Sequence, residues 1–141
     1  MSSRKPLAGR HCLFEPIDAE TERVAAQVMD AAFKVHRALG PGLLESVYEI
    51  CLCHELARQS IPFDRQLSLP VVYEGVRLDA GLRLDLLVAD VVIVELKTVE
   101  RIIPLYEAQL LTYLKLSGKR LGLLINFNTP VLKDGFKRLV R

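Results

Sequence analysis

Between Glu20 and Leu39 the apolar positions Val24, Val28, Ala32, Val35 and Leu39 recur at steps of three and four, which predicts an amphipathic helix ended by Gly40-Pro41-Gly42. A second helix follows at once, with Leu44, Val47, Tyr48, Cys51, Leu52 and Leu56 as its apolar face, and it runs out near Gln59-Ser60. After Pro62 the period changes from helical to extended. Gln66 to Tyr73 reads as a strand, Glu74-Gly75 as a turn, and Val76 to Leu78 as the start of a return. Leu82 to Val88 and Val91 to Lys97 read as two further strands, the second so continuously apolar that it should be central and covered on both faces. Pro104 suits the first turn of a helix reaching about Ser117, and Leu121 to Phe127 is another buried strand. The last residues form a terminal element of unassigned type. Helix, helix, about three strands, helix, strand describes an α/β domain with a mixed central sheet flanked by helices.

Composition narrows this further. The chain has 141 residues, half of them apolar, enough for one core and too few for two. Its apolar runs are far shorter than the roughly 20 residues of a bilayer span, and the start of the chain shows no secretory signal. A cytoplasmic protein without a membrane partner is expected. The three cysteines, Cys12, Cys51 and Cys53, are too few and too odd for a disulfide framework and read as structural. Charge is uneven. Residues 1–10 carry three basic groups and no acid, and residues 119–141 carry six basic groups and one acid, Asp134, around an acidic middle. This suits a protein that holds a polyanion at its rim while keeping carboxylates for chemistry. It also suits a plain solvated surface. The expected division is a basic N-terminal extension over 1–18, a domain over 19–130 and a basic C-terminal element over 131–141.

The informative segment runs from Arg83 to Lys97. Glu95 and Lys97 are two apart on an extended strand and leave the same face, amid aliphatic residues where a charge is costly unless paired or metal-bound. Asp85 lies opposite Glu95 only if the connecting loop is odd in length or bulged. A two-residue Ala89-Asp90 loop would throw it to the other face, whereas a three-residue loop sets the two carboxylates across from one another. That loop favours a left-handed residue at its last position, which β-branched Val91 resists. Two such carboxylates repel unless a proton or cation intervenes, and Mg²⁺ is the natural candidate, with Mn²⁺ as a substitute. Metal-assisted hydrolysis of a phosphodiester is the implied reaction, with Lys97 orienting water or neutralising charge. A simple Glu95–Lys97 ion pair at a strand end is the competing reading. Arg83, two residues from Asp85, is read on the same face, holding a carboxylate or touching a phosphate.

Asp85 followed by Glu95-Leu96-Lys97 resembles the PD-(D/E)XK nuclease superfamily, with Leu84-Asp85 in place of the usual Pro-Asp. Gly42-Leu43-Leu44-Glu45-Ser46-Val47-Tyr48-Glu49 resembles the signature of the GxxExxY protein family within it. Val35-His36-Arg37 before that signature and Glu107 to Lys115 with Leu121 to Phe127 after it resemble the same family in order. The resemblance implies the restriction-endonuclease-like α-β-β-β-α-β core and a Mg²⁺-dependent nuclease. Asp85, Glu95 and Lys97 would be catalytic, and Asp85, Glu95 and Glu45 would be metal ligands. Tyr106 departs from the family, whose members often carry histidine there. Glu45 lies within about 20° of Leu52 and Leu56 around its helix, at the edge of the apolar face. Gln109 and Tyr113, four apart on the later helix, share a face beside the site, as supporting or substrate-binding groups; Tyr113 as a core residue is the alternative. The expected partner is nucleic acid, DNA favoured over RNA, with a homodimer as the way for a small domain to embrace a duplex. The alternative function is a non-catalytic nucleic-acid- or protein-binding module that keeps the nuclease fold.

Overall fold

A computed structural model of the chain describes residues 15–141, the Ala80 side chain excepted. Cys12 and most of the basic N-terminal extension lie outside the described residues. Helix α1 spans Ala19–Leu39 and α2 spans Glu45–Arg58. Strands β1 (Phe63–Tyr73), β2 (Val76–Val88) and β3 (Val92–Lys97) follow, then α3 (Pro104–Ser117), β4 (Leu121–Asn126) and β5 (Phe136–Val140). The return strand and the next predicted strand are one long element, β2, because Leu78 and Leu82 both pair with β1 across an irregularity. The unassigned terminal element is a strand, β5, antiparallel to β4.

Local chemistry sets the element ends. Asp18 caps α1 by accepting from the Thr21 amide at 3.3 Å and its hydroxyl at 2.6 Å. Gly40, at φ +69°, ends α1 with its N–H donated to the His36 carbonyl at 2.7 Å. Tyr48 then clamps the turn into α2. Its hydroxyl donates to the Gly40 carbonyl at 2.5 Å and accepts from the Leu43 N–H at 3.2 Å, while its ring stacks on Phe127 at 4.6 Å. Leu44, read from sequence as part of the buried face, is instead the residue before the first turn and 74% exposed. The helical period does not apply to a residue whose backbone is still extended.

The sheet runs in spatial order β1-β2-β3-β4-β5, parallel only between β3 and β4, the pair joined through α3. All six residues of β4 are buried, as are five of the six in β3. One face carries α1 and α2, with Val28, Tyr48, Leu52, Leu56, Val94 and Leu123 among the core residues. The other carries α3, with Leu84, Leu87, Ile93, Leu110, Leu114 and Leu124. Gly122 brings α3 close, since a Cβ there would meet the Leu110 side chain at 2.9 Å. Among the described residues no helix is long and apolar enough to cross a membrane. Cys53 is buried, with its thiol pushed up to about 11 by that burial, a structural rather than reactive cysteine.

Replacing Tyr48 by Phe keeps the stacking but strands the Gly40 carbonyl and the Leu43 N–H. Denaturant melts should show a loss of about 1–3 kcal/mol; a loss too small to measure would mean that water already serves those groups.

Candidate active site

The β2–β3 turn decides where the carboxylates point. Val88 pairs with Val92, so the loop has three residues. Ala89 and Asp90 take the left-handed conformation, at φ +50° and +61°, and the Val91 N–H closes the turn on the Val88 carbonyl at 3.0 Å. Val91 itself stays out of the left-handed region, which removes the steric objection to this loop. The parity is the one that sets Asp85 across from Glu95.

Regular pairing stops at Leu86 and Val94. Beyond it the side chains take over the ladder. The Asp85 N–H donates to Glu95 Oε1 at 3.1 Å, and the Leu96 N–H donates to Asp85 Oδ2 at 2.8 Å. On the other side of β2, Arg65 pairs with Leu86 and Leu67 with Leu84, but Gln66 between them is left-handed at φ +51° and makes no ladder pair with Asp85. Such a conformation costs a non-glycine residue about 1–3 kcal/mol. Its consequence is a change of faces. Leu86 packs against the α1–α2 side and Leu84 against the α3 side, although they are two apart.

Burial governs the electrostatics. Glu95 is only 6% exposed, and its carboxyl is pushed up to about 9, first by that burial and then by the charge of Asp85. Lys97, half-buried, opposes the rise, and its Nζ lies 4.6 Å from the centre of the Tyr106 ring. Tyr113, buried on α3, has its hydroxyl raised by desolvation and then by the charges of Glu95 and Asp85, with Gln109 acting the other way. The α3 pair and the two carboxylates therefore share one neighbourhood. Glu45 opens α2 on the surface, its carboxyl raised first by desolvation and then by Asp85, and lowered by Lys97.

A family model described as PD-(D/E)XK nuclease superfamily matches residues 22–139. The chain belongs to that superfamily. Members of the PD-(D/E)XK superfamily are generally nucleases. No curated protein and no solved structure matches the chain.

Within this PD-(D/E)XK domain the expected site residues are not all equally placed. Asp85 and Glu95 touch through each other's strands, and Lys97 follows on the same strand. Glu45 stands within electrostatic reach of both Asp85 and Lys97, but among the described residues no three Asp, Glu, His or Cys side chains enclose an ion by themselves. Arg83 is exposed and lines a hollow with Ser68, Arg77 and Asp79, farther along the hairpin. The shared-face reading of Arg83 and Asp85 fails because the strand changes faces between Leu84 and Leu86.

Three residues were missed. Glu49, buried on α2, accepts from Arg65 Nε at 3.0 Å and from Gln66 Nε2 at 2.6 Å, and Gln66 Nε2 also lies 3.4 Å from Asp85 Oδ1. Glu49 sits four residues after Glu45 on one helix, a spacing that could have marked it. Nothing in the local pattern marks Gln66.

Proposed function

We propose that this PD-(D/E)XK chain is a Mg²⁺-dependent nuclease of the GxxExxY type, hydrolysing nucleic-acid phosphodiesters, DNA in preference to RNA, with Mn²⁺ as a working substitute. The observation that carries the reading is the pairing of Asp85 and Glu95 across the opened ladder, with Lys97 two residues on. The two carboxylates, the buried one raised to about 9 by desolvation and by its neighbour's charge, form an oxygen-donor pair whose mutual repulsion a bound hard divalent cation would relieve in place of a proton.

The bound ion would polarise a phosphoryl oxygen and acidify a coordinated water. Asp85 and Glu95 would hold it, each already oriented by a backbone N–H, and Glu45 would join directly or through water. The Lys97 ammonium, braced over Tyr106, would place the attacking water and offset the charge that develops on the phosphate. Tyr113 and Gln109 would support Glu95 from α3, and Arg83 would meet a phosphate farther along the hairpin. A homodimer would let so small a domain span a duplex, with the basic ends of the chain along the strand.

Calorimetry with Mn²⁺, paired with a cleavage screen over single-stranded, duplex and branched substrates, tests this reading. Wild type should bind Mn²⁺, and Asp85→Asn should lose binding about 100-fold together with cleavage. No Mn²⁺ heat in wild type, with nucleic-acid binding indifferent to Asp85→Asn, would favour a binding module instead.

A further inference from the structure

We infer that Gln66 is a positioning residue for the Asp85 carboxylate, its strained backbone aiming a neutral amide between Glu49 and Asp85; the inference rests on the metal-dependent reading above. A strand residue with ordinary backbone would complete the ladder pair with Asp85, since both flanking pairs, Arg65 with Leu86 and Leu67 with Leu84, are formed. Gln66 forgoes that pair by turning left-handed, at φ +51°. In exchange its side-chain nitrogen stands 2.6 Å from Glu49 Oε1 and 3.4 Å from Asp85 Oδ1.

The choice of side chain is informative. An amide nitrogen carries two N–H donors, one for each carboxylate, and no charge. A lysine or arginine in the same place would neutralise Asp85 and compete with a divalent cation. The charge of Glu49 is met elsewhere, by Arg65, whose Nε and Nη2 both lie 3.0 Å from Glu49 Oε2. Glu49 thus serves as a fixed anchor, and Gln66 passes that fixity on to Asp85. With Oδ2 held by the Leu96 N–H at 2.8 Å and Oδ1 within 3.4 Å of the Gln66 amide, the Asp85 carboxylate is restrained at both oxygens. Its remaining lone pairs are left for an ion. Supporting groups of this kind usually change metal affinity about 10–100-fold when removed.

Gln66→Gly separates positioning from mere structural support, because glycine accepts the left-handed backbone without strain, and that relief offsets the hydrogen bond lost to Glu49 along with the side chain. The measurements are Mn²⁺ affinity by calorimetry and the thermal midpoint in EDTA, on the full chain. The expected result is Mn²⁺ affinity reduced about 10-fold or more with a midpoint equal to or above that of wild type. Gln66→Asn, which tolerates the same backbone but is one methylene shorter, should restore only part of the affinity. Unchanged affinity in Gln66→Gly overturns the inference while leaving the nuclease reading intact. A fall in affinity matched by a fall in the midpoint overturns it as well, since the amide would then be holding the fold. Wild type that takes up no Mn²⁺ removes the metal-dependent reading, and the positioning role with it.

Discussion

Lys97→Ala should slow metal-dependent cleavage by about 10²–10³-fold, the scale on which a single charge-stabilising group acts in an enclosed site, while the domain remains folded. Lys97 is the last residue of β3, half-buried, and its ammonium makes none of the ion pairs found among the described residues. Its removal strands no partner carboxylate in an ion pair, and the thermal midpoint should move little. The loss should appear in the single-turnover rate. A second effect accompanies it: Lys97 restrains the upward shift of Glu95, so without it Glu95 holds its proton more tightly and Mn²⁺ binding should require higher pH. Full cleavage by Lys97→Ala would remove the lysine from the mechanism.

Glu95→Gln should stabilise the metal-free protein at pH 8 and abolish its response to metal. An acid whose pKa is raised on folding binds its proton more tightly in the folded chain than in the unfolded one. The contribution of Glu95 to metal-free stability is therefore greatest in acid, falls as pH rises from 4.5 toward about 9, and is level beyond. Each tenfold preference is worth about 1.4 kcal/mol, so a few kcal/mol are at stake at pH 8 for a group this buried. Glutamine keeps the shape and can still accept the Asp85 N–H through its oxygen, and its amide can donate to the Asp85 carboxylate as a protonated Glu95 would. In EDTA at pH 8 the variant should melt several degrees above wild type. At saturating Mn²⁺ the order should reverse, because only wild type gains binding free energy. A variant that melts below wild type in EDTA would show that Glu95 is not held protonated by its surroundings.

Much of this arrangement was legible in the chain itself. Stepwise apolar spacing placed α1 within one residue, and the run from Val91 to Lys97 marked the covered central strand. The parity argument for Asp85 and Glu95 called for an odd loop or a bulge, and the structure meets it with a three-residue loop. What it misjudged was the strain, expected at Val91 and carried by Ala89 and Asp90. The unreadable part has a single physical origin. Alternation assumes that a strand keeps one face to one side, and β1 and β2 break that rule together at Gln66 and Asp85. A left-handed glutamine in mid-strand leaves no compositional trace, so the link from Glu49 through Gln66 stayed hidden and Arg83 was assigned to the wrong side. Tyr48 was read as part of an apolar face, while its hydroxyl role depends on a turn whose geometry no periodicity describes.

The side-chain takeover of the ladder has a spectroscopic consequence. In an ordinary sheet the protons on the Asp85 and Leu96 nitrogens would lean on peptide oxygens, whose electron density hardly varies with solution conditions. Here each leans on a carboxylate that can be ionised, protonated or shared with a cation. The two resonances are thus native gauges of what the acids hold, legible without substrate.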